Sequence, residues 1–274
     1  MKQTTTVMRA GEPVTSAAHL RELLRHRDLL VLLTQKDLKA KYKSTFLGFL
    51  WSMLNPLLLM LVYTAVFSVV VRFQMERYPV FLLAGVLPWN AFIISISTAS
   101  MTIVGNGYLI RRVNFPREYL PLASVLSGLV NLCLSLLLLF VFAFAFQQPL
   151  GAPVLMLPVL VLLQTVFTTG LAFALSAFVV YFRDLENLIQ IGLTIAFFVT
   201  PIIYPFQAVK DAPVAWVLTA NPMGWLITSY QRIWHDNDWP DVAQVVGFGV
   251  LAVVVLVAGW IVFKALEARF PEEV

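Results

Sequence analysis

If this chain catalysed a transfer reaction inside a membrane, Asp236, Asn237 and Asp238 would have to supply the acid, base or nucleophile, because its long apolar stretches hold no carboxylate and no histidine. A turn explains the same three residues without chemistry. His19, His26 and His235 are not spaced like metal ligands and read as solvated or interfacial side chains. Cys133 is the single cysteine; it sits in an apolar run, offers no disulfide or metal pair, and reads as a small buried residue. No glycine is followed by lysine, so the phosphate-cradling loop of a P-loop ATPase cannot be built. Ion-coupled carriers generally place Asp, Glu or His at membrane depth, where the cost is accepted because the group carries the coupling. Here the apolar stretches offer uncharged polar groups, such as Ser52 and Asn55 in the first and Asn90, Ser95, Ser97, Thr98, Ser100 and Thr102 in the second, which can line a polar path or simply pack helices. If the protein pumps, its energy comes from another subunit.

The elements that must position these residues are set by composition. Of the residues, 59% are hydrophobic and 12% charged, against roughly 45–50% and 25% in a soluble domain. The net charge of +4 does not point to nucleic acid, because the basic residues lie between apolar runs instead of on one face. A helix crossing the hydrocarbon needs about 20 mostly apolar residues. Six stretches qualify: 47–71, 79–104, 120–146, 153–180, 188–204 and 242–263. With the N-terminus inside, the cytoplasmic segments hold fifteen Lys and Arg and the outside segments four, which favours both termini in the cytoplasm. No signal-peptide pattern is visible in the first residues. The expected organisation is a cytoplasmic tail at 1–46, a six-span region at 47–263 and a C-terminal tail at 264–274.

Two connections are unusual. Residues 205–241 combine Pro205, Pro213, Pro222 and Pro240 with Trp216, Trp225, Trp234 and Trp239. Proline breaks helices and Trp favours the membrane interface, so the segment reads as short re-entrant helices or as an aromatic belt anchoring the last span. In the N-terminal tail, Leu20, Leu23, Leu24, Leu30 and Val31 make a helical stripe among charged residues, suited to the headgroup plane or to a partner protein. Thr34 offers an N-cap to a second stretch, with Asp37 three residues on. Between the second and third spans, Gly105 and Gly107 end a helix, Pro116 can open a short new one, and Arg117 and Glu118 face water. A short helix braced between spans can be a lever for a docked partner; a positive-inside loop is the plainer alternative.

Several ordered motifs then resemble one family. Residues 33–43 (LTQKDLKAKYK) running into 47–56 (LGFLWSMLNP), 113–118 (VNFPRE) with Leu120 and Pro121, 182–185 (FRDL), 200–205 (TPIIYP) and Asn221 with Pro222 are together similar to polysaccharide-export permeases of the ABC type-2 family. The resemblance runs from about Leu29 to Val262. It is closest to permeases for O-antigen and teichoic-acid polymers and looser to those for capsules.

That resemblance implies an all-α homodimer of six-span subunits in the bacterial inner membrane, with two copies of a separate ATPase that carries ATP and Mg, and no cofactor or catalytic residue on this chain. The cargo it implies is a glycan on a polyprenyl diphosphate. Asn114, Phe115, Pro116, Arg117 and Glu118 would form the coupling helix, with Phe115 as the anchor in the ATPase and Arg117 and Glu118 at the rim. Arg183 and Asp184 would make a second contact, and the helix before the first span would be an interface helix. The first and fifth spans would line the channel. Sugars stack their C–H faces on aromatic rings, which nominates Trp51, Tyr63, Phe67, Phe197, Phe198 and Tyr204. A drug or small-lipid exporter of the same superfamily, a membrane-embedded transferase and a passive channel are the rival expectations.

Overall fold

The protein was analysed as a computed structural model, which describes residues 27–42, 50–66, 75–113, 115–208, 211, 213 and 215–274. In chain order the helices are α1 (Arg27–Tyr42), α2 (Leu50–Ala65), α3 (Tyr78–Gly105), α4 (Gly107–Arg112), α5 (Tyr119–Ala145), α6 (Leu157–Tyr181), α7 (Leu185–Val199), α8 (Ala215–Ala220), α9 (Pro222–Gln231), α10 (Val242–Glu267) and α11 (Phe270–Glu273). No strand occurs among the described residues. The stripe residues Leu20, Leu23 and Leu24 lie outside them, as do Phe67 and Asn114.

Among the described residues, four helices are long and apolar enough to cross a membrane: Tyr78–Gly105, Tyr119–Ala145, Ala152–Tyr181 and Val242–Glu267. At ~1.5 Å per residue each exceeds the ~30 Å of hydrocarbon. α3 is apolar all round and occupies the centre, with 78% of its apolar window buried, whereas α10 lies at the periphery with 17%. The outer helices keep one apolar stripe exposed. On α10 it is Val246, Val250, Val253, Val257 and Ile261; on α5 it is Val130, Leu137, Val141 and Phe144. Cys133 falls on that α5 stripe and is exposed, contrary to the buried role expected, because its helical phase puts it with Val130 and Leu137. Stripes of this length are solvated by lipid, and the chain is a multi-pass α-helical membrane protein.

Packing is set by small residues at the crossings. Gly170 of α6 and Gly259 of α10 meet so closely that a Cβ at Gly259 would lie 1.9 Å from the Gly170 carbonyl oxygen. Likewise a Cβ at Gly128 of α5 would fall 1.8 Å from the Ser95 hydroxyl of α3. The hydroxyls of Ser95 and Ser100 return to their own helix, bonding the carbonyls of Ala91 and Ser97, so these two serve packing. Inside the bundle Gln164 ties three helices together: its Nε2 donates to the Pro88 carbonyl (2.8 Å) and its Oε1 accepts from the Tyr230 hydroxyl (3.2 Å).

The short helices differ from expectation in instructive ways. α7 ends at Val199, not at Tyr204, because Thr200 precedes Pro201 and takes extended dihedrals (φ −98°, ψ 135°). Its 15 residues reach only ~22 Å. The backbone that follows is buried, and its carbonyls are bonded by side chains: Tyr78 reaches Ile203 (2.8 Å), and Gln231 reaches Pro201 (3.0 Å) and Ile202 (3.2 Å). Gly85 of α3 lets that backbone approach, since a Cβ there would sit 3.2 Å from the Ile202 oxygen. α8 and α9 then fold against the bundle, with Leu226, Ile227, Tyr230 and, just beyond, Trp234 buried, while Trp216 and Trp239 are exposed. The first stretch, expected at 47–71, is described as a helix over Leu50–Ala65.

At the Tyr78 end of the bundle, Asp236, Asn237 and Asp238 form a turn. Asn237 is left-handed (φ 54°) and its Oδ1 accepts from the Gly151 amide at 2.7 Å. Asp238 pairs with Arg232, and Asp236 with His235. The other ring nitrogen of His235 meets the Glu76 carbonyl at 2.9 Å. Two acceptors on one ring favour its cation, and the bond to Asp236 leads in raising its pKa above the ordinary histidine value.

Candidate functional site

Two groups of residues nominated by the sequence come into view, one at the Lys264 end of the bundle and one on its flank.

At the Lys264 end, α1 lies across the start of α5 as one uninterrupted helix. Thr34 is therefore not an N-cap; its hydroxyl donates to the Leu30 carbonyl at 2.8 Å, because Leu29, Leu30 and Leu33 continue one packed face through that position. Asp37 accepts from Ser124 of α5 (3.0 Å), and Lys36 donates to Asn106 (2.7 Å). The short helix between α3 and α5 is α4, upstream of the expected one. From Phe115 to Glu118 the chain makes turns, with the Tyr119 amide bonding the Pro116 carbonyl, and α5 starts at Tyr119.

Glu118 does not face water, and Arg117 is half-buried. Glu118 is 2% exposed and accepts from Lys264 at 2.9 Å, while Lys264 also reaches Glu267 at 2.8 Å. Arg117 donates to the Glu267 carbonyl. The physical reason is that the end of α10 passes directly over this turn, so the charges find partners within the chain. Phe115 is half-buried and packs on the cluster of Phe263 and Phe270, which is intramolecular packing and not a free anchor. Arg183 and Asp184 are exposed in the turn between α6 and α7, beside an exposed Phe182.

Sequence reasoning missed Lys264, Glu267 and α11, whose Phe270 is fully buried. The available signal was faint: Lys264 ends one apolar stretch on the side where Glu118 begins another. It also missed Tyr108 of α4, which is 70% exposed with the Arg112 guanidinium 4.4 Å from its ring centre.

On the flank, α2 and α7 bring several nominated aromatics together. Tyr63 stacks on Phe197 (centroids 6.4 Å apart), Phe197 meets Phe198 edge-on (5.3 Å), and the Tyr204 hydroxyl donates to the Phe198 carbonyl (2.8 Å). Trp89, which was not nominated, lies behind Phe197 at 6.2 Å. Phe198 is exposed, and so are Leu188, Ile191 and Ile195 along the same helix. Phe67 and the side chain of Trp51 lie outside the described residues. No group of His, Cys, Asp and Glu suited to a metal occurs among the described residues.

A bundle of long apolar helices with one aromatic flank and charged turns at one end defines a multi-pass α-helical membrane protein. A family model described as ABC-2 type transporter matches residues 28–233. The O-antigen export system permease protein RfbA of Myxococcus xanthus is 39% identical over 256 residues, covering 93% of this chain and 98% of that protein. Two permeases of the same name from Klebsiella pneumoniae are 32% and 33% identical over 250 and 248 residues, covering 89% of this chain and 94% of each relative. The chain belongs to the ABC-2 type transporter family.

Proposed function

We propose that this chain is the transmembrane subunit of an ATP-driven exporter that moves a lipid-linked polysaccharide of the O-antigen type across the bacterial inner membrane. The observation that carries this reading is the match along nearly the full length of O-antigen export permeases. It favours a glycan over the drug or small-lipid cargo of the wider superfamily. The subunit is not itself an enzyme: ATP and Mg belong to a separate ATPase, two copies of which would dock on a homodimer of this chain.

In this reading α2 and α7 complete six spans within residues 47–263, the tail at 1–46 and the residues from Lys264 onward are cytoplasmic, and the segment at 205–241 is extracytoplasmic with re-entrant α8 and α9. α1 is the interface helix. Residues 114–118 pass on motion from the ATPase, while exposed Tyr108, Phe182, Arg183 and Asp184 make the contact itself. Buried aromatic anchors dominate such interfaces. Tyr63, Phe197, Phe198 and Tyr204 face the glycan path, with Trp51 and Phe67 on the same span as Tyr63.

Orientation is tested by cysteines introduced at Thr5 and at Asp211 in a Cys133→Ser background. They should react with impermeant reagents from opposite sides of intact cells; labelling from one side overturns the six-span arrangement. For function, cells lacking the gene should retain polysaccharide on its polyprenyl carrier inside the cell, and the wild-type gene should release it. Tyr63→Ala with Phe197→Ala should slow export of long polymers several-fold while the complex still hydrolyses ATP. Unchanged flux and chain length would remove these rings from the path.

A further inference from the structure

A cavity of about 370 Å³ opens at the Tyr78 end, enclosed by the irregular backbone after α7, by α8 and α9, and by the start of α10. Its size falls in the roughly 300–1,000 Å³ range of small-molecule sites. No contact described above uses it as a site, and it is separate from the aromatic flank of Tyr63 and Phe197.

Its lining combines one aromatic wall with several amides. The Trp225 indole is held in place by its Nε1, which donates to the Thr219 carbonyl at 2.7 Å, and Gly247 of α10 leaves room for the ring's far edge. Gln231 is only 4% exposed. Its bonds to the carbonyls of Pro201 and Ile202 are both made by Nε2, so its Oε1 has no donor among the described residues and is accessible to a ligand in the cavity that Gln231 lines. Gln244 receives only a long contact from the Thr228 hydroxyl (3.5 Å), which leaves its amide NH₂ without an acceptor among the described residues. Gln207, at the mouth, is exposed and its side chain bonds none of the described residues.

An amide oxygen that faces the cavity without a protein donor can accept from a ligand hydroxyl. An acyl chain would leave Gln231 and Gln244 unpaired, which argues against lipid. An anion would meet amide oxygens and Asp236, while the nearby cation Arg232 is already paired with Asp238. A neutral pyranose fits both features: its C–H face lies on an indole, and its hydroxyls each donate and accept as the planar amides require. We propose that this cavity is a saccharide-binding subsite, one that holds a sugar unit of the exported glycan at the outer end of the path. This rests on the export reading given above.

The test uses the permease with its ATPase in nanodiscs, titrated with short oligosaccharides released by mild acid from the producing cell's own O-polysaccharide, and followed by saturation-transfer NMR. Gln207→Ala with Gln244→Ala touches side chains that hold little of the fold, and should raise Kd by about tenfold or more at an unchanged melting temperature. Trp225→Leu should abolish the signal. An affinity unchanged in the Gln207 and Gln244 variant, or no binding to the wild type, overturns the subsite. The export reading fails separately: it falls, and the subsite with it, if deleting the gene leaves surface polysaccharide unchanged. Retained intracellular polysaccharide together with wild-type affinity in the variant sinks the subsite alone.

Discussion

Lys264→Met is expected to destabilise the permease by about 3 kcal/mol, because it takes a cation away from a buried carboxylate. Glu118 is 2% exposed, and Lys264 reaches it at 2.9 Å. The lower end of the usual 3–5 kcal/mol range applies, since the lysine side chain is still 27% exposed and water reaches part of it. Heating the purified complex and following its retention as a monodisperse species should show a clear drop in melting temperature. A buried pair replaced by apolar residues of similar size is often neutral. Adding Glu118→Leu to Lys264→Met should therefore restore most of the loss. A single variant that melts like the wild type would show that the pair contributes nothing. Phe115→Ala, which trims a half-buried ring, should cost less than Lys264→Met and show its effect as ATP hydrolysis without export. The sequence reading ranks these positions by coupling instead, with Phe115 as the anchor and Glu118 as a rim charge.

Gly259→Ala is expected to be the most damaging glycine-to-alanine change among the described residues. The added Cβ would fall 1.9 Å from the Gly170 carbonyl oxygen, a backbone atom that cannot swing away. Overpacking of this kind costs about 1–3 kcal/mol or more, and relief would require α6 and α10 to separate along their shared length. Gly192→Ala of α7 is the control, since none of the described residues lies within 4 Å of a Cβ there. It should be neutral or stabilising by up to about 1 kcal/mol through helix propensity. Yield of folded complex and its melting temperature measure both. Equal behaviour of the two alanines would mean that α6 and α10 do not cross as described.

The four long helices were legible to within a few residues because each is a run of apolar residues bounded by charge or proline. α7 was not, for a local reason: the apolar run continues through Ile202 and Ile203, but Pro201 forbids the helix from following it. The aromatic grouping of Tyr63, Phe197, Phe198 and Tyr204 was nominated by resemblance, and nothing in the spacing of residues 63 and 197 announces that their rings meet. Glu118 and Lys264 were misread for the same reason, since their pairing spans 146 positions of sequence. Hydropathy reports whether a segment is buried in something apolar, not which polar groups at its ends find each other.

The shortness of α7 alters the barrier that a polar polymer would meet. If α7 spans as proposed, its helical part covers ~22 Å of a ~30 Å hydrocarbon layer, leaving ~8 Å to a stretch of bent backbone. That stretch carries carbonyls already bonded by Tyr78 and Gln231, so it can sit at membrane depth without an exposed polar debt. In that arrangement a glycan moving along this flank would pass bent backbone in place of the last turns of a helix. The bend would let the wall of the path change direction within the membrane, without any ionisable group having been placed there.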